Sequence, residues 1–308
     1  MAASTLNSDV IRKVLLATDL SARGDRALER AVAIARDTRA HLYILHAYEE
    51  FEESSLTYGS HLTPSWRAPL DAVEIAKARI REGLRADLGD AVENATVLVM
   101  EGDPAELIEE VVARENIDLL VTGIAREGVF AKRPVILGRT VEKLLRRVGI
   151  PILIVRNRPR TPYQNILVTT DFSDASANAL QVALSLFPNQ TLHLLHAFDV
   201  PYAASSSDLR LQIESFKYAR DTDLAGFVTA TVLPEDARQR LVRLVEYGNP
   251  AQLVRDYVRD RGGDLVVLGT RGRGAVLETL LGSTAKDILE TLPCDALVVR
   301  GPMRSAKK

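Results

Sequence analysis

The chain carries nearly the same pattern twice, and this constrains its fold more than anything else in the sequence. VLLATDLS (14–21) returns as ILVTTDFS (166–173), and LYILHAY (42–48) returns as LHLLHAF (192–198). EGDPAELI (101–108) returns as YGNPAQLV (247–254), IDLLVTG (117–123) as GDLVVLG (263–269), and PILIVR (151–156) as DALVVR (295–300), always in the same order. A repeat on this scale means two copies of one unit. The 308 residues agree with that reading at roughly 150 per domain. The expected domains are 10–156 and 163–301, joined by NRPRTPY (157–163), a short linker stiffened by its prolines.

Within each copy, short runs rich in Val, Ile and Leu alternate with segments of helical period. This is the mark of consecutive βαβ units and a parallel sheet. Leu28, Ala31, Val32, Ile34 and Ala35 form an apolar stripe between strands expected near 11–18 and 41–47, and Val73, Ala76, Ile80 and Leu84 form another. A third helix opens at Pro104, with Asp103 placed to cap it and Glu106 to complete a capping box. Asn249, Pro250 and Gln252 repeat that arrangement. The expectation is an α/β chain of two tandem, doubly wound parallel α/β sandwiches, with five strands and four helices per copy. Ligands of such folds sit at the carboxyl ends of strands where the strand order reverses. Asp171 ends the first strand of the second copy and Gly269 ends the fourth.

Composition excludes several partners. With 39 basic and 41 acidic residues the net charge is −2, so no global field draws the chain to nucleic acid or to an anionic membrane surface. MAASTLNSDV lacks a signal-peptide pattern, and no apolar run is long enough to span a bilayer, so a cytoplasmic location is expected. Cys294, the only cysteine, opens an apolar run and reads as a core thiol.

GTRGRGAVLETLLGST (269–284) is the stretch that carries chemistry. Gly269, Gly272 and Gly282 let the backbone approach an oxyanion closely, and Gly282, Ser283 and Thr284 open the last helix, whose free amides and dipole favour negative charge. Arg271 and Arg273 stand within reach of outer phosphates. The same spacing also suits glycines that merely end a strand before a capped helix, and both readings stand on spacing alone. The stretch lacks the third glycine of a dinucleotide fingerprint, having Leu277 there, and it lacks the Gly-Lys-Ser/Thr ending of a P-loop.

Taken in order, ILVTTDFS, LHLLHAFDVP, YGNPAQLV, GTRGRGAVLETLLGSTA and PCDALVVR resemble the universal stress protein family, whose nucleotide-binding members carry G-x2-G-x9-G-S/T. The resemblance covers nearly the whole chain twice. It implies strand order 3-2-1-4-5, ATP held between the first and fourth strands with Mg²⁺, and pairing through the last strand. By position it implies that Asp171 meets the adenosine part, that Thr170 belongs to the same nucleotide site and that the backbone at Ala197 faces the adenine. Gly269, Gly272, Gly282, Ser283 and Thr284 would cradle ribose and phosphates. An aspartate at a strand end is also a good helix cap, for Asp171 and its copy Asp19 alike.

The first copy departs from this pattern. Arg126 stands where Gly272 would, Arg139 stands where Ser283 would, and the interval from Gly123 to Gly138 is longer and contains Pro134. One ATP per chain, in the C-terminal copy, is therefore expected. His193 and His196, three apart on a strand, point to opposite faces and do not share a metal. His46 and His196 are copies, which favours packing roles. No hydrolase, zinc-protease or redox motif is present. Three functions from different classes stay open here: an ATP-binding regulatory protein of the stress response acting through conformation or assembly, a slow ATPase using the same pocket, and a nucleotide-free dimerisation scaffold. The two copies are expected to pack on each other as a pseudo-dimer, with a homodimer of chains beyond that. The segment from Phe51 to Leu70, with Trp66, is too long for an ordinary connection and reads as a lid, an interface or a loop.

Overall fold

The structure is a computed structural model describing residues 11–20, 24–48, 78, 82–83, 94–124, 126–127, 135–200, 208–233, 235–270 and 281–300. The first copy comprises β1 (Lys13–Ala17), α1 (Gly24–Thr38), β2 (His41–Tyr48), β3 (Thr96–Glu101), α2 (Pro104–Glu115) and β4 (Leu119–Gly123). It continues with the two-residue strands β5 (Arg126–Glu127) and β6 (Val135–Ile136), then α3 (Arg139–Arg147) and β7 (Ile152–Val155). The second comprises β8 (Ile166–Thr169), α4 (Asp174–Leu186), β9 (Leu192–Phe198), α5 (Leu209–Ala230) and α6 (Glu235–Gln239). After these come β10 (Leu241–Tyr247), α7 (Pro250–Arg261), β11 (Leu265–Gly269), α8 (Ser283–Thr291) and β12 (Asp295–Val299). The stripe expected on Val73, Ala76, Ile80 and Leu84, and the segment from Phe51 to Leu70, lie outside the described residues.

β5 and β6 pair apart as a two-stranded antiparallel ribbon, and the other ten described strands form one sheet of order β10-β9-β8-β11-β12-β7-β4-β1-β2-β3. Numbered within each copy, this is 3-2-1-4-5 twice. Within that sheet every pairing is parallel except one: β12 runs antiparallel to β7, with Leu297 opposite Leu153 and Val298 opposite Ile152. Continuous apolar strands result because both faces are covered. Val14 and Leu16 enter the core under α1 and α4, whereas Leu15 enters the core under α2, α3, α7 and α8.

The helix starts follow their caps. The Asp103 carboxylate accepts from the amides of Ala105 (2.9 Å) and Glu106 (3.2 Å), and Asn249 accepts from Gln252 at 3.1 Å. The expected capping box is not completed. Glu106 faces Arg147 at 3.7 Å instead of returning to the Asp103 amide.

The junction between the copies is held by polar groups as well as by strands. Asp295, 1% exposed, accepts from the amides of Arg156 (2.8 Å) and Asn157 (2.9 Å) and from the Tyr163 hydroxyl (2.6 Å). Burial pushes the Asp295 carboxyl up and the Tyr163 phenol well up. The Arg30 guanidinium lies 3.8 Å from the Tyr163 ring centre and 3.8 Å from Asp295, so the linker is tied down by a buried cluster drawing on both copies.

Candidate functional site

Strand order reverses at β8, with β9 and β10 on one side and β11 and β12 on the other. The helices change face at the same place: α4 and α5 pack on one face, α7 and α8 on the other. The carboxyl ends of β8 and β11 therefore border the crevice that doubly wound sheets use for ligands.

At the end of β8, Thr170 and Asp171 build a fixed turn. The Thr170 hydroxyl lies 2.9 Å from that of Ser176 and accepts from the Phe172 amide at 3.0 Å, so it supports the turn from inside. Asp171 is not the helix cap. Ser173 caps α4 by accepting from the Ser176 amide, and Asp171 holds Ser173 through its amide (3.1 Å) and hydroxyl (2.5 Å). Phe172 between them has φ of 65°, and its copy Leu20 has φ of 58°, a left-handed turn unusual for bulky residues that both copies retain. The Phe172 ring stacks on His196 with ring centres 4.1 Å apart.

His196 Nδ1 donates to the Thr170 carbonyl at 3.0 Å, as His46 does to Thr18 at 3.1 Å. Both histidines buttress the turn, and burial holds the His196 imidazole below the usual histidine range. His193 packs against Tyr257 on the opposite face. Among the described residues no cluster of His, Cys, Asp or Glu has metal-binding geometry. Ala197, half-buried near the carboxyl end of β9, stands opposite Glu246. Cys294 is 5% exposed, and burial raises its thiol far above the usual range, as a core thiol requires.

The two described glycines of the motif have different physical reasons. A Cβ on Gly269 would lie 2.9 Å from the Ala175 carbonyl carbon and 3.0 Å from the Ser176 amide, so the first turn of α4 requires glycine there whether or not a ligand binds. Among the described residues a Cβ on Gly282 would meet only the Thr270 carbonyl oxygen, at 3.7 Å, and its φ of −59° and ψ of 147° are open to any residue. Neither its conformation nor packing among the described residues asks for glycine at 282. Gly282 precedes α8, its own amide donating to Thr270 O at 3.1 Å and its carbonyl accepting from Lys286 at 2.9 Å. The amides of Ser283, Thr284 and Ala285 meet no acceptor among the described residues, and the Ser283 and Thr284 side chains are exposed. These groups suit an anionic ligand. Gly272, Arg271 and Arg273 lie outside the described residues.

Sequence reasoning missed Thr270, which follows Gly269 and is 6% exposed. Its copy is Ile124, and that exchange of a polar for an apolar residue at a strand end was the available signal.

The first copy is arranged differently. Exposed Arg139 opens α3 in the place of Ser283. Lys143 Nζ lies 2.7 Å from Asp103, and Arg147 lies 3.7 Å from both Glu106 and Glu109, so α3 is pinned to the start of α2. The Lys143 hydrogen bond holds the Asp103 carboxyl below the usual carboxylate range. Among the described residues no ion pair joins α7 to α8. The Arg126 side chain and Pro134 lie outside the described residues.

Comparisons with known proteins agree with this architecture. A universal stress protein from Thermus aquaticus is 30% identical over 147 residues, which are 45% of this chain and 99% of that protein. The universal stress protein E homolog of Haemophilus influenzae is 22% identical over 318 residues, covering 94% of this chain and 97% of its own. Among solved structures, a functionally unknown protein from Pseudomonas aeruginosa superposes with a TM-score of 0.64 at 21% identity, covering 96% of this chain and 94% of that one. A universal stress protein from Archaeoglobus fulgidus superposes with 0.57 at 20% identity, covering 94% and 98%. The model of the Universal stress protein family matches twice, at residues 11–156 and 162–300. With two matches that together span nearly its whole length, the chain belongs to the universal stress protein family in tandem form.

Proposed function

We propose that this chain is a regulatory protein of the stress response that binds ATP with Mg²⁺ in its C-terminal domain, 163–301. In this reading the N-terminal domain, 10–156, has lost the nucleotide and the two domains act as an intrachain pseudo-dimer. Bound nucleotide alters the surface or the assembly of a cytoplasmic homodimer. The observation that carries the reading is Gly282: a glycine that neither its backbone conformation nor packing among the described residues requires, at the start of a helix whose first amides meet no acceptor among those residues. Close approach of a phosphate supplies the missing reason. Asp171, held in place by Ser173, is the group for the ribose, Thr170 holds the turn, and the backbone at Ala197 borders the base. Gly269, Gly272, Ser283 and Thr284 complete the phosphate cradle. Pinning of α3 by Lys143 and Arg147 supports an inactive first domain.

Isothermal titration of the purified chain with MgATP tests this. Saturation near one ATP per chain is expected, with binding abolished in a Gly282→Arg variant. Absence of binding at millimolar MgATP, or saturation at two equivalent sites, overturns the reading.

A further inference from the structure

We propose that Thr270 is a ligand contact of this site, its side-chain hydroxyl donating to a phosphate-ester oxygen of the bound nucleotide; the inference rests on the nucleotide reading above. The Thr270 hydroxyl is buried, the residue being 6% exposed, and it has no hydrogen-bond partner among the described residues. Buried hydroxyls are nearly always paired, because an unpaired one loses its hydration for nothing. Thr170, at the matching end of the neighbouring strand, shows the ordinary outcome, being bonded to Ser176 and Phe172.

The backbone fixes where the Thr270 side chain stands. Its amide donates to Val299 O at 3.0 Å, continuing the ladder beyond β11, and its carbonyl accepts from Gly282 at 3.1 Å. Alternation along β11 puts Val267 in the core under α4 and Leu268 in the core under α7 and α8. Gly269 then faces α4, as its contact with Ala175 shows, and Thr270 faces α8. The unpaired hydroxyl thus shares a face with the amides of Ser283, Thr284 and Ala285, which meet no acceptor among the described residues, and the Thr270 carbonyl is bonded to Gly282 beside them. A phosphate on those amides offers only acceptor oxygens, which is what an unused hydroxyl donor requires. The first copy, in which α3 is pinned to α2, has Ile124 at this position.

The test compares wild type with Thr270→Val, which keeps the shape and removes the hydroxyl, and with Thr270→Ser, which keeps the hydroxyl. Each protein is titrated with MgATP and separately with adenosine, and is melted without ligand. Thr270→Val should weaken ATP binding about 10-fold, the scale of one lost charge-assisted hydrogen bond. It should leave adenosine affinity unchanged and melt no lower than wild type, while Thr270→Ser should bind ATP as wild type does. The proposal is overturned if Thr270→Val binds ATP like wild type, loses adenosine equally, or melts lower when ligand-free, since the last would mean that the hydroxyl already has a partner. Each of these leaves the nucleotide reading standing. A wild type that binds no ATP overturns both.

Discussion

Arg156 and Arg300, the closing residues of the two copies of the last strand motif, reach across the β7–β12 junction in opposite directions. Arg156 Nη1 donates to the carbonyl of Leu292 at 2.5 Å, and Arg300 Nη1 donates to those of Arg147 (3.3 Å) and Val148 (3.4 Å). Each copy thereby places a cation on the carboxyl end of the other copy's last helix, where the helix dipole and unpaired carbonyls favour positive charge. Arg156→Ala should cost about 1–2 kcal/mol in urea unfolding. Arg300→Ala, with its longer bonds, should cost less. Equal effects would show that the difference in bond length has no energetic weight.

The Asp295 cluster predicts a steeper response. Asp295→Ala leaves the Tyr163 hydroxyl and two amides without their acceptor and the buried Arg30 without its counter-ion, and should destabilise by about 3 kcal/mol. Tyr163→Phe removes one bond from the same carboxylate and should cost about 1 kcal/mol. Both values are read from denaturant midpoints, and a double variant no worse than Asp295→Ala alone would show that the two act as one unit.

Gly269 and Gly282 should separate stability from binding. The Cβ of Gly269→Ala falls on backbone atoms of α4 and should cost about 2 kcal/mol. Among the described residues Gly282→Ala meets nothing closer than 3.7 Å, so its melting temperature should match wild type while ATP affinity falls. Melting curves and titrations on the same samples check both halves.

Burial lowers the pKa of both His193 and His196 from the usual 6.5. The unfolded chain then binds more protons than the folded one just below pH 6.5, so stability held at neutral pH is lost as pH falls through that value. Melting temperatures measured roughly between pH 7 and 5 should show this fall, and a His193→Gln, His196→Gln double variant should flatten it. An unchanged slope would assign the fall to other groups.

The sheet was legible because its strands are short apolar runs repeated in order, and the helix starts because Asp103 and Asn249 stand directly before prolines. The site was harder to read, because one residue type serves different ends. Gly269 and Gly282 look alike in the motif, yet the first answers to the crossing of α4, whereas a Cβ on the second would crowd nothing among the described residues. Asp171 reads as a cap, but the left-handed turn at Phe172 moves the cap to Ser173. A residue such as Thr270, whose described backbone partners Val299 and Gly282 are distant in sequence, is understood only once β11, β12 and α8 are assembled.

The antiparallel junction reverses the direction of the second copy relative to the first. The amino end of α8 lies at the candidate site of its own copy, while its carboxyl end meets Arg156 and the helix also lies against β6, both from the first copy. Over nine residues, about 13 Å of helix, α8 runs like a shaft between two bearings, one in each half of the molecule. The half without an intact glycine motif is therefore the half that grips the far end of the shaft.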